Sequence, residues 1–155
     1  MTMAKPCKWP LILVLALAAV VCLFFFHMYH DDINALKGFI AAYEKFDQAV
    51  SDLSTSASND VDGKAGESLV VLNAKAPLRL SSLIKNDAEL MDQAREVADL
   101  SQRELDGLKA QDAMLKSRNP DSDGAKGREL DKDVRVLREK RQAAYARFRE
   151  LCGND

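Results

Sequence analysis

The sequence predicts an all-α protein: one N-terminal transmembrane helix continuing into an extracytoplasmic helical bundle or coiled coil of about three helices. Leu11 to Phe26 is an unbroken apolar run. From Ile33 onward apolar residues recur at spacings of three and four, the beat of a helix. Ala, Leu, Lys, Glu, Asp, Gln and Arg dominate the remainder, β-branched residues are scarce after position 72, and no strand-length alternation occurs.

Residues 1–8 are expected to be a short cytoplasmic N-terminus, and 9–29 a transmembrane signal-anchor. Trp9 to Tyr29 is 21 residues, about 31 Å of helix, close to the thickness of a bilayer's hydrocarbon core. Trp9 and Tyr29 stand at the two ends, where interfacial aromatics belong. Lys5 and Lys8 precede the run, while Asp31 and Asp32 follow it. The positive-inside rule therefore puts the N-terminus in the cytoplasm and the rest outside an inner or plasma membrane, periplasmic in a Gram-negative cell. Cleavage is the competing reading. The A-x-A, Ala16-Leu17-Ala18, lies mid-run, and cutting there would leave an apolar tail. A lipoprotein site at Cys22 would follow Val21 rather than a small residue. An uncleaved anchor fits the run best.

The stretch 31–53 reads as a membrane-proximal amphipathic helix with a seam of Leu36, Phe39, Tyr43, Phe46, Val50 and Leu53, spaced three, four, three, four and three. With no Gly or Pro between Leu11 and Ile33, the span is expected to run straight into it, Gly38 being the weak point. Residues 54–67 read as a linker, from Ser54-Thr55-Ser56 through Asp62-Gly63. A long helix over 68–116 carries Leu69, Ala76, Leu83, Leu90 and Val97 at every seventh position, and is expected to kink or to start afresh near Ala76-Pro77. A turn over 117–124 ends it. A C-terminal helix over 125–152 carries Leu130, Val134, Leu137, Arg141, Ala144, Phe148 and Leu151, and Gly153 suits its cap.

Charge is uneven. Residues 31–125 hold 11 Lys/Arg and 18 Asp/Glu, a balance of −7, and residues 126–150 hold 9 and 5, a balance of +4. A basic helix of this kind suits nucleic acid or acidic lipid in some proteins. Outside the cytoplasm no nucleic-acid partner is expected, so Arg135, Arg138, Lys140 and Arg141 read as a solvated or inter-helix salt-bridging face. The cysteines are Cys7, Cys22 and Cys152. One external cysteine permits no intramolecular framework, leaving Cys152 as a free thiol or an intermolecular disulfide.

No catalytic constellation is legible. His27, His30 and Asp31 share a helix face, but a metal centre wants further ligands. Asp60-Val61-Asp62-Gly63 and Asp121-Ser122-Asp123-Gly124 resemble pieces of calcium loops, yet the closing position would be Leu69 or Leu130 instead of Glu. No catalytic, metal or cofactor role is expected, and the chain reads as a non-enzyme. It is expected to act through protein–protein contacts as scaffold, adaptor or assembly subunit, with the 36–53 seam facing a helical partner or a second copy. Its layout resembles the four-helix extracytoplasmic domains of bacterial chemoreceptors, which would imply a sensor or ligand-binding domain. In length, anchor, helical outer part and the ending Leu137-Arg138-Glu139 to Cys152 it is similar to phage inner-membrane spanins, which would imply envelope disruption.

Overall fold

The computed structural model describes residues 9–55, 59–116 and 120–153. Among them are four helices and no strand: α1 (Trp9–Thr55), α2 (Asn59–Lys75), α3 (Asp87–Lys116) and α4 (Pro120–Leu151). The N-terminal segment 1–8, with Lys5, Cys7 and Lys8, and parts of the expected linker (56–58) and turn (117–119) lie outside the described residues.

α1 is continuous over 47 residues, about 70 Å. Its first half stands clear of the rest of the chain: the large apolar side chains from Ile12 to Phe26 are exposed, Leu13 and Leu17 by about two-thirds. This helix is long and apolar enough to cross a membrane. From Asp32 onward one face is buried and the bundle begins. Gly38 does not break the helix. The stem of Lys75 lies close to it, with Cδ 3.8 Å from where a Cβ would stand.

Three expected boundaries need correction. The linker predicted over 54–67 is helical from Asn59 onward, so the Asp-Val-Asp-Gly run lies in the opening turns of α2. Acidic residues suit that position because the first N–H groups of a helix lack intrahelical partners. The expected turn over 117–124 is also shorter, and Pro120 opens α4, where its missing N–H removes no bond. The third correction changes the architecture. Residues 68–116 are not one helix: of the kink and the fresh start expected at Pro77 the chain takes the second, α2 ending at Lys75 and α3 starting only at Asp87. Pro77 has no N–H to donate and disfavours helical geometry at Ala76. Asn86, at φ 61°, turns the chain into α3, a left-handed conformation that Asn tolerates better than most residues. Its carbonyl accepts the amide of Leu90 at 2.9 Å. The domain therefore has four helices rather than about three.

The helices form two antiparallel hairpins, α1 with α2 and α3 with α4, which close on one core. Phe39 and Phe148 are wholly buried with ring centroids 4.8 Å apart. The Tyr43 and Tyr145 rings stack at 3.6 Å. Leu69, Leu72, Leu90, Val97 and Leu105 fill the opposite side. Leu83 departs from its heptad series: in the segment between α2 and α3 it is 41% exposed. At the far end of α4, Gly153 adopts φ 72° and its amide meets the Glu150 carbonyl at 3.0 Å, the cap its position suggested.

α3 and α4 approach closely at Gly107, where an added Cβ would stand 2.7 Å from Cγ2 of buried Val134. Valine has one strongly preferred rotamer in a helix, so it cannot swing away freely. Gly107→Ala is therefore expected to destabilise the domain by about 1 kcal/mol, overpacking outweighing the gain in helix propensity. In a Val134→Ala background the same change should turn stabilising. Chemical denaturation of the four species measures this, and a stabilising Gly107→Ala in the native background would contradict it.

Candidate functional site

The most distinctive chemistry in the domain is a charged cluster inside the bundle. Glu104 on α3 is 0% exposed and Arg141 on α4 is 1% exposed. Buried ions are strongly disfavoured unless paired and hydrogen-bonded, and here nearly every direction is answered. Arg141 donates from Nε to Glu104 Oε2 at 2.6 Å and from Nη1 to the Tyr43 hydroxyl at 2.7 Å. Its Nη2 lies 2.8 Å from Asp47 Oδ1. The other oxygen of Glu104 accepts from Arg138 Nε at 2.7 Å. The Arg141 guanidinium also lies 5.2 Å and 5.4 Å from the ring centroids of Tyr43 and Phe46. Two carboxylates and two guanidiniums leave the cluster neutral.

Helical spacing explains the assembly. Tyr43 and Asp47 are one turn apart on α1, and Arg138 and Arg141 are one turn apart on α4, so each pair shares a face. Glu104 completes the cluster from α3. Burial pushes the Tyr43 hydroxyl well above the usual tyrosine range, and Arg141 opposes that shift in part. For Arg141 itself burial works against the charge, but Tyr43, Glu104 and Asp47 outweigh it and the net shift is upward. The cluster thus holds a permanent cation and a neutral phenol. Such groups bind and orient; neither is poised to exchange a proton near neutral pH.

Elsewhere the chemistry is sparse. His27 Nδ1 and Asp31 Oδ2 are 3.6 Å apart on the exposed face of α1, and no group of three or more metal-competent side chains occurs among the described residues. An open groove of about 590 Å³ lies between α1 and α2, lined by Glu44, Lys45, Gln48, Asp52, Lys64 and Glu67 among others. Its charges are mixed, and Gln48 donates to Asp52 at 2.9 Å.

The seam read as a partner interface faces inward instead. Leu36, Phe39, Tyr43, Phe46 and Val50 are buried and Leu53 is packed against them, so the chain's own helices cover that face. The three-and-four spacing marks the face that leaves water, and residues of α2, α3 and α4 of the same chain complete the core it joins. Cys152 is half-buried beyond the end of α4, and burial pushes its thiol up, only partly offset by Arg149. Of the C-terminal cations, Arg138 and Arg141 bridge helices while Arg135 and Lys140 are exposed.

Two functional-looking acids escaped the sequence reading. Glu104 falls seven residues after Val97, continuing the heptad series, and that register was the available signal. Asp32 reads as a membrane-exit marker, yet it is buried and accepts from the Ser81 amide at 3.2 Å and from the Ser81 hydroxyl. Nothing local announces a contact across so much chain. Comparison with protein-family models, curated proteins and solved structures finds no match.

Proposed function

We propose that this protein is a single-pass membrane protein, anchored by residues 9–29 with its N-terminus in the cytoplasm, whose extracytoplasmic four-helix bundle works through protein–protein contacts. The observation that carries this reading is the uniformly exposed apolar surface of α1 from Ile12 to Phe26, joined without a break to a packed domain. In water that surface would be a severe aggregation liability; in a bilayer it is the expected exterior of a span. With the seam occupied internally, partner contacts fall to other surfaces, among them Val70 and Val71 on α2, exposed by 69% and 47%.

The fourfold helical layout and the α1–α2 groove give some support to a sensor or ligand-binding domain as a second reading. The spanin reading is less supported. α4 folds back along α1, with Phe148 against Phe39 and Tyr145 against Tyr43, so the outer helices, of which α4 with 32 residues spans about 48 Å, make a folded-back bundle and not one long rod.

The test is topology. A reporter fused after Asp155 is expected to be active only in a form that works outside the cytoplasm, and the protein should stay with membranes after alkaline extraction. A mature N-terminus between Ala18 and His30 would overturn the anchor.

A further inference from the structure

We infer that the segment joining α2 to α3, with Lys75, Arg79, Leu83 and Lys85, is a second membrane-contact element that rests on an anionic bilayer surface beside the exit of α1. The inference rests on the anchor reading above.

Its position along the membrane normal comes from Asp32. This residue stands three positions beyond Tyr29, the aromatic that closes the apolar span, about 4.5 Å along the helix axis. Asp32 holds Ser81 through the Ser81 amide, 3.2 Å from each carboxylate oxygen, and through the Ser81 hydroxyl. The headgroup layer is about 5–7 Å thick on each side of the hydrocarbon core, so Ser81 is pinned at headgroup depth. Two further observations agree. Met28 is the first residue of the described span to be half-buried, and α2 arrives from above, with Lys75 beside Gly38.

The chemistry of the segment matches that depth. From Ser68 to Asn86 the chain carries Lys75, Arg79 and Lys85 and no acidic residue. All three cations are exposed, and none forms an ion pair among the described residues. Most nearby acids are engaged: Asp32 is buried, Glu89 meets Arg147 at 3.0 Å, Asp31 lies 3.6 Å from His27, and Asp87, half-buried two residues after Lys85, accepts the Ala88 amide at 2.8 Å. Leu83 is 41% exposed although its heptad neighbours are in the core. Long cationic side chains around an exposed leucine are the composition of an interfacial element, the cations reaching phosphates while the leucine enters the acyl boundary. One bilayer would then hold the domain at two places, fixing the tilt of the bundle on the membrane.

Tryptophan quenching by brominated phospholipid tests this in the full chain reconstituted into vesicles. Trp9 is the only native tryptophan, so the unmodified protein reports whether the span is inserted. Leu83→Trp in a Trp9→Phe background reports the segment. Lys109→Trp in the same background is the distant control, exposed and 22 residues into α3 from Asp87, about 33 Å along that helix. We expect Leu83→Trp to be quenched several-fold more than Lys109→Trp in vesicles containing anionic lipid. The difference should shrink in zwitterionic vesicles, in high salt, and with Lys75→Gln, Arg79→Gln and Lys85→Gln combined. Quenching at 83 no greater than at 109, with Trp9 quenched, overturns the inference and leaves the anchor intact; indifference to lipid charge overturns it as well. An unquenched Trp9 instead removes the anchor reading, and this inference with it.

Discussion

Replacing Glu104 with leucine is expected to lower the stability of the folded domain by about 3–5 kcal/mol. The reason is what the substitution leaves behind. Arg141 is almost fully buried and is pushed toward its charged form by Tyr43, Glu104 and Asp47. Without Glu104 it keeps Asp47, which is 45% exposed and already half-solvated. A cation with half its compensation remains inside the core. Arg138 suffers less, because its side chain is 34% exposed and can turn to water. The paired change Glu104→Leu with Arg141→Met removes both ions and is expected to recover most of the loss, since apolar residues of similar volume often replace a buried ion pair at little cost. Denaturation followed by helical circular dichroism, in one fixed membrane mimetic, measures all three proteins. A double variant no more stable than Glu104→Leu would show that the cluster does more than satisfy its own charges.

Phe39→Ala is the second large effect, at about 3–5 kcal/mol, with Phe148→Ala similar. Both rings are wholly buried and meet at 4.8 Å between centroids. Side chains in direct contact couple, so the double variant should lose less than the sum of the two. Glu44→Ala and Lys45→Ala, exposed on the same helix, are expected to change stability by less than about 0.5 kcal/mol. The form of the result separates an internal core from an interface between chains. For an internal core the unfolding midpoint is independent of protein concentration, whereas an obligate partner interface makes it rise with concentration. A concentration-dependent midpoint that Phe39→Ala abolishes would return the seam to the role its heptad spacing first suggested.

Heptad spacing alone could not decide between those roles, because a stripe of Leu36, Phe39, Tyr43, Phe46 and Val50 records only that one face must leave water. It carries no label for which helix covers it. The charged pair shows the same limit from the other side. Arg141 stood on the apolar face of α4 and Glu104 in the heptad register of α3, so each could be seen as a polar residue in an apolar position. That they answer one another, with Tyr43 and Asp47, depends on helices distant in the chain being brought side by side.

The sequence by itself determined the helical class, the apolar N-terminal helix and its unbroken passage into the next segment, the seam on α1, the core positions of α4 from Leu137 to Leu151 other than Tyr145, and the Gly153 cap. These follow from interactions within a few residues: spacing, propensity, and the missing N–H or Cβ of Pro and Gly. Only the tertiary structure decided that Pro77 divides one predicted helix into two, that the seam is covered from within, and that Asp32 holds Ser81 and Arg141 meets Glu104. The physical reason is range. A proline weakens a helix locally, but a kink becomes a full break only when packing favours the reversed chain, and a buried charge is tolerated only where folding delivers its partner.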